Sequence, residues 1–323
     1  MYTAQNRYFY NQNRLKQLRA FCHVAQAGSI TRAAELMFLS QPSISLLVQA
    51  LEKNLGADLL VRNGPRIKLS DKGKLLYELA LPLVEGLESL PTSFAESCKD
   101  PISGVLKIAA SESVILYIMP DFIKKFGQSF PYIRIEISNV TGRDGLAMLR
   151  SGEVDFSIAS MLELHDDIIY FPCWSFEPML ITPVDHPLTK IKPVTLEKIA
   201  EYGLIMPPKH LTTWRVIETV FQQNNINYSV TLEAGGWEVI KKYVAMGHGI
   251  SITSDICLSD NTNLVKIPLN KYFPRRNYGL VIRKGKFISP AIRHFFSMID
   301  KNALKRIKLL QSSEVHQNGM VCA

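Results

Sequence analysis

The sequence predicts an α/β protein: an N-terminal winged helix-turn-helix, a long linker helix and two Rossmann-like lobes. Three observations predict it. Residues 28–55 hold two short amphipathic helical patterns around a four-residue turn, leucines recur at mostly heptad-like spacing after residue 71, and strand and helix patterns alternate from residue 105. At 323 residues, 47% of them hydrophobic, the chain exceeds one ordinary domain and can build several cores.

Residues 1–13 are polar and aromatic without a period and read as a flexible extension. Residues 14–70 read as the winged module. Its first helix, residues 15–27, has Leu15, Leu18, Phe21, Cys22 and Ala25 as an inner face. In the following helix pair Ser29 and Ser40 are the predicted caps, Ala33 and Ala34 allow close crossing, and Pro42 is tolerated in a first turn. Ile44, Val48, Leu51 and Leu55 recur at i, i+4, i+7 and i+11, which fixes a buried face. The opposite face carries Pro42, Leu46, Gln49 and Lys53, flanked by Gln41, Ser43 and Ser45, and is the candidate for a DNA major groove, with Thr31 and Arg32 beside it. Residues 59–69 read as a hairpin wing turning at Asn63-Gly64. Arg62, Arg66 and Lys68 lie on this wing and Lys72 and Lys74 follow, where cations meet phosphates. Residues 1–74 hold 11 Lys/Arg against 4 Asp/Glu, and the remainder 26 against 25, so the formal +8 is concentrated at the N-terminus. Such an excess suits a phosphate backbone; a solvated basic face is the alternative.

Ser70 caps a predicted linker helix over 71–98, in which Leu76, Leu79, Leu83 and Leu90 recur beside Leu75 and Leu87. The stripe calls for another helix, from a second subunit. Pro82 costs about 3 kcal/mol inside a helix, which predicts a kink there and an end near Pro91. Residues 99–104 read as a hinge. Beyond it, strands at 105–109, 133–139 and 156–160 enclose helices at 115–126 and 142–151, a βαβαβ unit. A second series has strands near 178–182, 203–206, 230–233 and 249–253, with helices near 195–200, 213–225 and 237–246. A last strand at 278–283 and a helix at 289–310 return to the first lobe. The expected effector region, 105–310, thus has lobe I at about 105–171 and 276–310, lobe II at about 172–275, and a cleft between them. Residues 311–323 form a tail.

Cys22, Cys98, Cys173, Cys257 and Cys322 show no C-x-x-C or metal-ligand spacing and read as reduced thiols. With no long apolar run and no signal peptide, the expected location is cytoplasmic, away from membranes. His165, Asp166 and Asp167 cluster without a nucleophile elbow, Gly-rich phosphate loop or metal spacing, so no enzyme, catalytic residue, metal or cofactor is predicted. His186, His210 and His248 read as structural, and a redox switch through Cys173 and Cys257 is a further possibility. Trp174, Trp214 and Trp237 either border the cleft or pack in cores, and Arg143 either pairs with Asp144 or lies near an anion.

The segments GSITRAAE, LSQP and LEKNLGADLLVR within residues 28–62 resemble the DNA-binding signature of LysR-type transcriptional regulators, and the resemblance extends over nearly the whole chain. DDIIYFPCW (166–174), TPVDHPL (182–188) and VIKKYVAMGHGISI (239–252) resemble the CysB-like branch, which controls sulfur assimilation and cysteine synthesis. The resemblance implies lobes of periplasmic-binding-protein type and a homodimer or homotetramer on a partly palindromic double-stranded DNA site, with RNA polymerase as a further partner. Gln41, Pro42, Ser43 and Ser45 would touch bases, and Arg32, Arg62, Arg66 and Lys68 the backbone. It also implies an effector pocket at Ser111, Ser113, Ser160 and Thr212, for a small sulfur-related anion: sulfate, thiosulfate, or O- or N-acetylserine. Ser111 and Ser113 lie where a strand turns into a helix, and free N–H groups there favour an anion. Val114 replaces an amide of the branch, Glu112 adds a negative charge, and Leu46 and Leu47 replace basic and amide residues. Leu46 can touch a thymine methyl but not guanine or phosphate. A LysR-type regulator with another effector, one with no ligand, and an enzyme on the two-lobed region are the alternatives.

Overall fold

Capping and apolar spacing shape the N-terminal module much as the sequence dictates. The computed structural model describes residues 14–61, 67–98, 100–161, 163, 165–258 and 263–312. Helices α1 (Arg14–Ala27), α2 (Ile30–Met37) and α3 (Gln41–Leu55) cross over a core in which Ala20, Phe21, Val24, Ala33, Ile44 and Val48 are fully enclosed. Ser29 Oγ accepts from Arg32 N and Ser40 Oγ from Ser43 N, satisfying one orphan donor at each helix start. Leu15 and Leu55, expected inside, are 46% and 40% exposed because each sits in a terminal turn where the packed face runs out. Strands β1 (Leu60–Val61) and β2 (Lys68–Leu69) pair antiparallel as the base of the wing. Its tip, including Arg62, Asn63-Gly64 and Arg66, lies outside the described residues, as do the expected extension and most of the expected tail.

Helix α4 (Asp71–Glu88) runs through Pro82 without interruption, breaks at Ser89, and is followed by α5 (Leu90–Ser97) with Pro91 in its first turn. Pro91 therefore opens a helix rather than ending one, since a first-turn N–H has no intrahelical acceptor and its absence loses no hydrogen bond. Tyr77, Ala80, Leu81 and Val84 bury one face of α4, whereas Leu75, Leu79, Leu83 and Leu90 are 58 to 67% exposed. Of the expected stripe, Leu79, Leu83 and Leu90 thus lie outside this chain's own core, while Leu76 packs against the N-terminal core.

Lobe I is built on β3 (Gly104–Ala110), α6 (Glu112–Tyr117), α7 (Met119–Ser129), β4 (Ile133–Asn139), α8 (Gly142–Ser151), β5 (Phe156–Ala159) and β6 (Ile168–Phe176). Lobe II follows with β7 (Pro178–Pro183), α9 (Leu196–Ala200), β8 (Leu204–Met206), α10 (Thr212–Gln223), β9 (Val230–Glu233), α11 (Trp237–Ala245), β10 (Ser251–Ser254) and β11 (Leu264–Pro268). Strand β12 (Arg276–Arg283) and helices α12 (Pro290–Ile299) and α13 (Ala303–Ser312) return to lobe I. The first sheet runs β4-β3-β5-β12-β6, with β3 parallel to its neighbours and β12 antiparallel to both of its own. In the second, β7 lies between β10 and β11, and a parallel bridge from Leu204 to Ile250 joins the β8-β9 pair, so the order repeats that of lobe I. Phe295 and Phe296 of α12 enter the lobe I core against Phe126 and Phe156, and burial at roughly 1.5–3 kcal/mol per large apolar side chain holds the returning segment.

Candidate functional site

On α3, Gln41, Pro42, Leu46 and Gln49 are exposed on the side opposite Ile44, Val48 and Leu51. Thr31, Arg32 and Lys68 are exposed as well. Ser43 and Ser45 are half-buried, and Ser43 Oγ lies 2.8 Å from Ser40 Oγ, so its hydroxyl is already engaged at the cap. Leu46 is 65% exposed, an apolar side chain on an otherwise polar face. Sequence reasoning missed Phe38, which ends α2 at φ 54° and is 95% exposed just before α3. The only signal was the run LMFL, which reads equally well as buried helix.

The module is fastened to lobe I through α4. Glu85 Oε2 accepts from Arg283 Nη2 at 3.1 Å, and Glu85 Oε1 from Lys286 Nζ at 2.9 Å; Lys286 also pairs with Asp155 at 3.0 Å. All of these side chains are largely buried. Tyr77 donates its hydroxyl to the Ser151 carbonyl. On the α1 side, His23 and Arg19 share Glu88, and the His23 hydrogen bond leads in holding that carboxyl below its usual range. A cavity of about 620 Å³ opens at this junction, but its lining mixes Arg32, Lys107 and Lys286 with Glu88, Glu153 and Asp155, so no single sign of ligand charge is favoured.

Between the lobes lies a cavity of about 310 Å³ lined by Ser160 and Thr212 together with Arg143, Arg215, His165, His210 and one carboxylate, Glu163. Helices α8 and α10 both start at it. Neither N-cap residue, Thr141 or Leu211, caps with its side chain, and the Thr141 hydroxyl is hydrogen-bonded to Asp144 instead. Two helix N-termini with orphan N–H groups, with Arg143 and Arg215 against the single carboxylate Glu163, leave an excess of positive charge at the cavity that suits an anion.

Ser111, Glu112 and Ser113 are not in the lining of this cavity. Ser113 is buried, its Oγ 3.6 Å from Cys257 Sγ, and Ser111 precedes α6, its carbonyl accepting from Val114 and Ile115. Glu112 faces lobe II: Gly236, the N-cap of α11, has φ +84°, and a Cβ there would come 3.1 Å from a Glu112 carboxylate oxygen. The carboxylate therefore stands at the positive end of α11. Beside it the buried Lys241 of α11 donates to Tyr117 Oη and to the Cys257 carbonyl, each at 2.8 Å, and pairs with Glu238.

The remaining candidates resolve into structural roles. Asp167 of the acidic cluster is held in a bidentate pair by Arg150, at 2.5 and 2.9 Å, which also lowers its pKa. Trp214 lies in the lobe II core and Trp174 packs edge-on to Phe122. Burial pushes the Cys173 and Cys257 thiols up to about 11, leaving both protonated and poorly nucleophilic at neutral pH. Among the described residues no cluster of His, Cys, Asp and Glu could hold a metal, and no helix is long and apolar enough to cross a membrane.

Residues 15–74 match the family described as "Bacterial regulatory helix-turn-helix protein, lysR family", and residues 99–303 match "LysR substrate binding domain". The chain is 29% identical over 296 residues to the HTH-type transcriptional regulator cbl of Escherichia coli, covering 90% of this chain and 93% of that protein. It is 28% identical over 312 residues to the HTH-type transcriptional regulator CysB of Haemophilus influenzae, covering 95% and 96%. The solved structure of full-length OxyR from Pseudomonas aeruginosa superposes with a TM-score of 0.71 at 22% identity over 90% of this chain and 95% of that one.

Proposed function

The chain belongs to the LysR family of transcriptional regulators, and from that premise we propose that its effector is a small sulfur-related anion received between the lobes. Sulfate, thiosulfate and O- or N-acetylserine are the candidates. The observation that carries this reading is the cavity where Ser160 and Thr212 meet two uncapped helix N-termini and two arginines. The similarity to regulators named CysB and cbl supports the sulfur assignment. Glu112 at the start of α11 and the apolar Val114 favour a second reading, a LysR-type regulator of another pathway with a different effector.

The N-terminal module binds double-stranded DNA through the exposed side of α3, Thr31 and Arg32 reinforcing it, and Arg62, Arg66 and Lys68 gripping phosphates. A homodimer or homotetramer, joined along the α4 leucines, presents paired modules to a promoter in the cytoplasm, where RNA polymerase is the downstream partner. Effector acts only by binding one arrangement of the assembly more tightly than another. Titration calorimetry of the full-length protein with sulfate, thiosulfate and O-acetylserine tests the sensor: at least one should bind, and Thr212→Val should abolish the response while promoter binding persists. Silence from all three would transfer the assignment to the second reading.

A further inference from the structure

A smaller cavity of about 120 Å³ adjoins the interlobe cavity and shares Ser160 and Met161 with it as a common wall. Its chemistry differs from that of the outer space. Val216, Ile217, Ile252 and Phe273 form an apolar side, and Ser254 and Arg276 a polar one. Ser254 is 9% exposed, and Ser254 Oγ and Arg276 Nε are buried without a hydrogen-bond partner, whereas Thr253, the preceding residue on β10, turns its hydroxyl to the other face of the strand, towards Cys257. Two such atoms on one small wall are unusual, because buried polar groups in folded proteins almost always find partners. Arg276 is anchored but not neutralised: it donates to the Thr213 hydroxyl and lies over the Tyr278 ring, and it pairs with no carboxylate among the described residues. The neighbouring Arg275 is tied to Glu177.

We propose that this inner cavity is a subsite for a compact organic anion. Its carboxylate or sulfonate lies on Arg276 and Ser254, and its short carbon skeleton against Val216, Ile252 and Phe273. A dry cavity of about 150 Å³ accommodates benzene, so this one takes a skeleton of roughly three to six heavy atoms. A bare inorganic oxyanion would leave the apolar side uncovered. The inference rests on the cleft being the effector site and specifies the chemistry that site selects.

The test is titration calorimetry of the full-length protein with sulfate, butanoate and propane-1-sulfonate. At least one organic anion should bind about tenfold or more tightly than sulfate. Arg276→Gln should weaken that binding at least tenfold, the scale of one charge-assisted contact. Ser254→Ala should weaken it several-fold without disturbing the fold, and Val216→Phe, which fills the space, should abolish organic-anion binding while sulfate binding persists. Organic anions that bind indifferently to all three variants would overturn the subsite. Sulfate binding alone, sensitive to Thr212→Val, would leave the cleft as the effector site and refute the inner cavity. No binding by any of the three probes would overturn the subsite and leave the outer cleft to the titrations with thiosulfate and O-acetylserine.

Discussion

Replacing Glu85 with alanine removes the carboxylate that joins the linker helix to lobe I. Its side chain is 13% exposed and those of Arg283 and Lys286 are 10% and 7%, so solvent cannot substitute for it. Breaking a buried pair from one side costs about 3–5 kcal/mol, because a charge is left uncompensated. Lys286 keeps Asp155 at 3.0 Å, so the loss falls mainly on Arg283, and we place the effect near the lower bound, about 3 kcal/mol. At roughly 2–4 °C per kcal/mol for a unit of this size, the first calorimetric transition should fall by about 6–12 °C. Arg283→Ala in the Glu85→Ala background should recover part of that loss, giving a coupling above about 1 kcal/mol in a double-mutant cycle. A melting shift within about 1 °C, or a strictly additive cycle, would refute the clamp.

Leu79 and Leu83 are 65% and 67% exposed, and changing both to glutamate should yield a folded monomer by sedimentation velocity; an unchanged oligomer would show that α4 is not the seam. At Gly73 a Cβ would lie 2.1 Å from the Leu59 carbonyl oxygen, so Gly73→Ala should destabilise the N-terminal module by about 1–3 kcal/mol despite alanine's better helix propensity, and a gain in its melting temperature would contradict that packing. Arg150 lowers the folded-state pKa of Asp167. Its stabilisation is therefore present above the ordinary aspartate range near pH 4 and lost as pH falls through the lowered value, so wild type should lose more stability than Asp167→Asn between about pH 5 and 2 in urea titrations. Parallel acid profiles would argue that the pair contributes nothing.

Local rules carried much of the fold. Strands β4 and β9 and helix α8 occupy the ranges expected from the alternation of strand and helix patterns. Strand β6 escaped detection because Pro172 interrupts it; the strand tolerates proline as a sheet edge, where one side of the backbone has no partner. The other unplaced strand, β11, is likewise an edge. The expected helix at 289–310 is two, because Asp300 turns extended and its carboxylate accepts the Asn302 N–H, a side-chain substitute for the next helical bond. In the cleft, Ser160 and Thr212 could be placed at element ends by spacing. The orphaned Ser254 and Arg276 could not, since what singles them out is a missing partner, and that is a property of the packed structure rather than of any residue pattern.

Strand β12 is flanked on both sides, by β5 and β6, and the bulge beside it falls on β6, where Cys173 is the extra residue. Its own alternation is therefore unbroken over about 23 Å. Arg276 and Arg283, an odd number of positions apart, leave opposite faces of that strand. One reaches the first turn of α10, the other the carboxylate of the linker helix. With no loop between these two grips, a displacement at the inner end cannot be absorbed along the way. The strand acts as a tie-rod between sensor and linker, and lengthening it by one residue would turn one arginine away from its target while leaving both in the sequence.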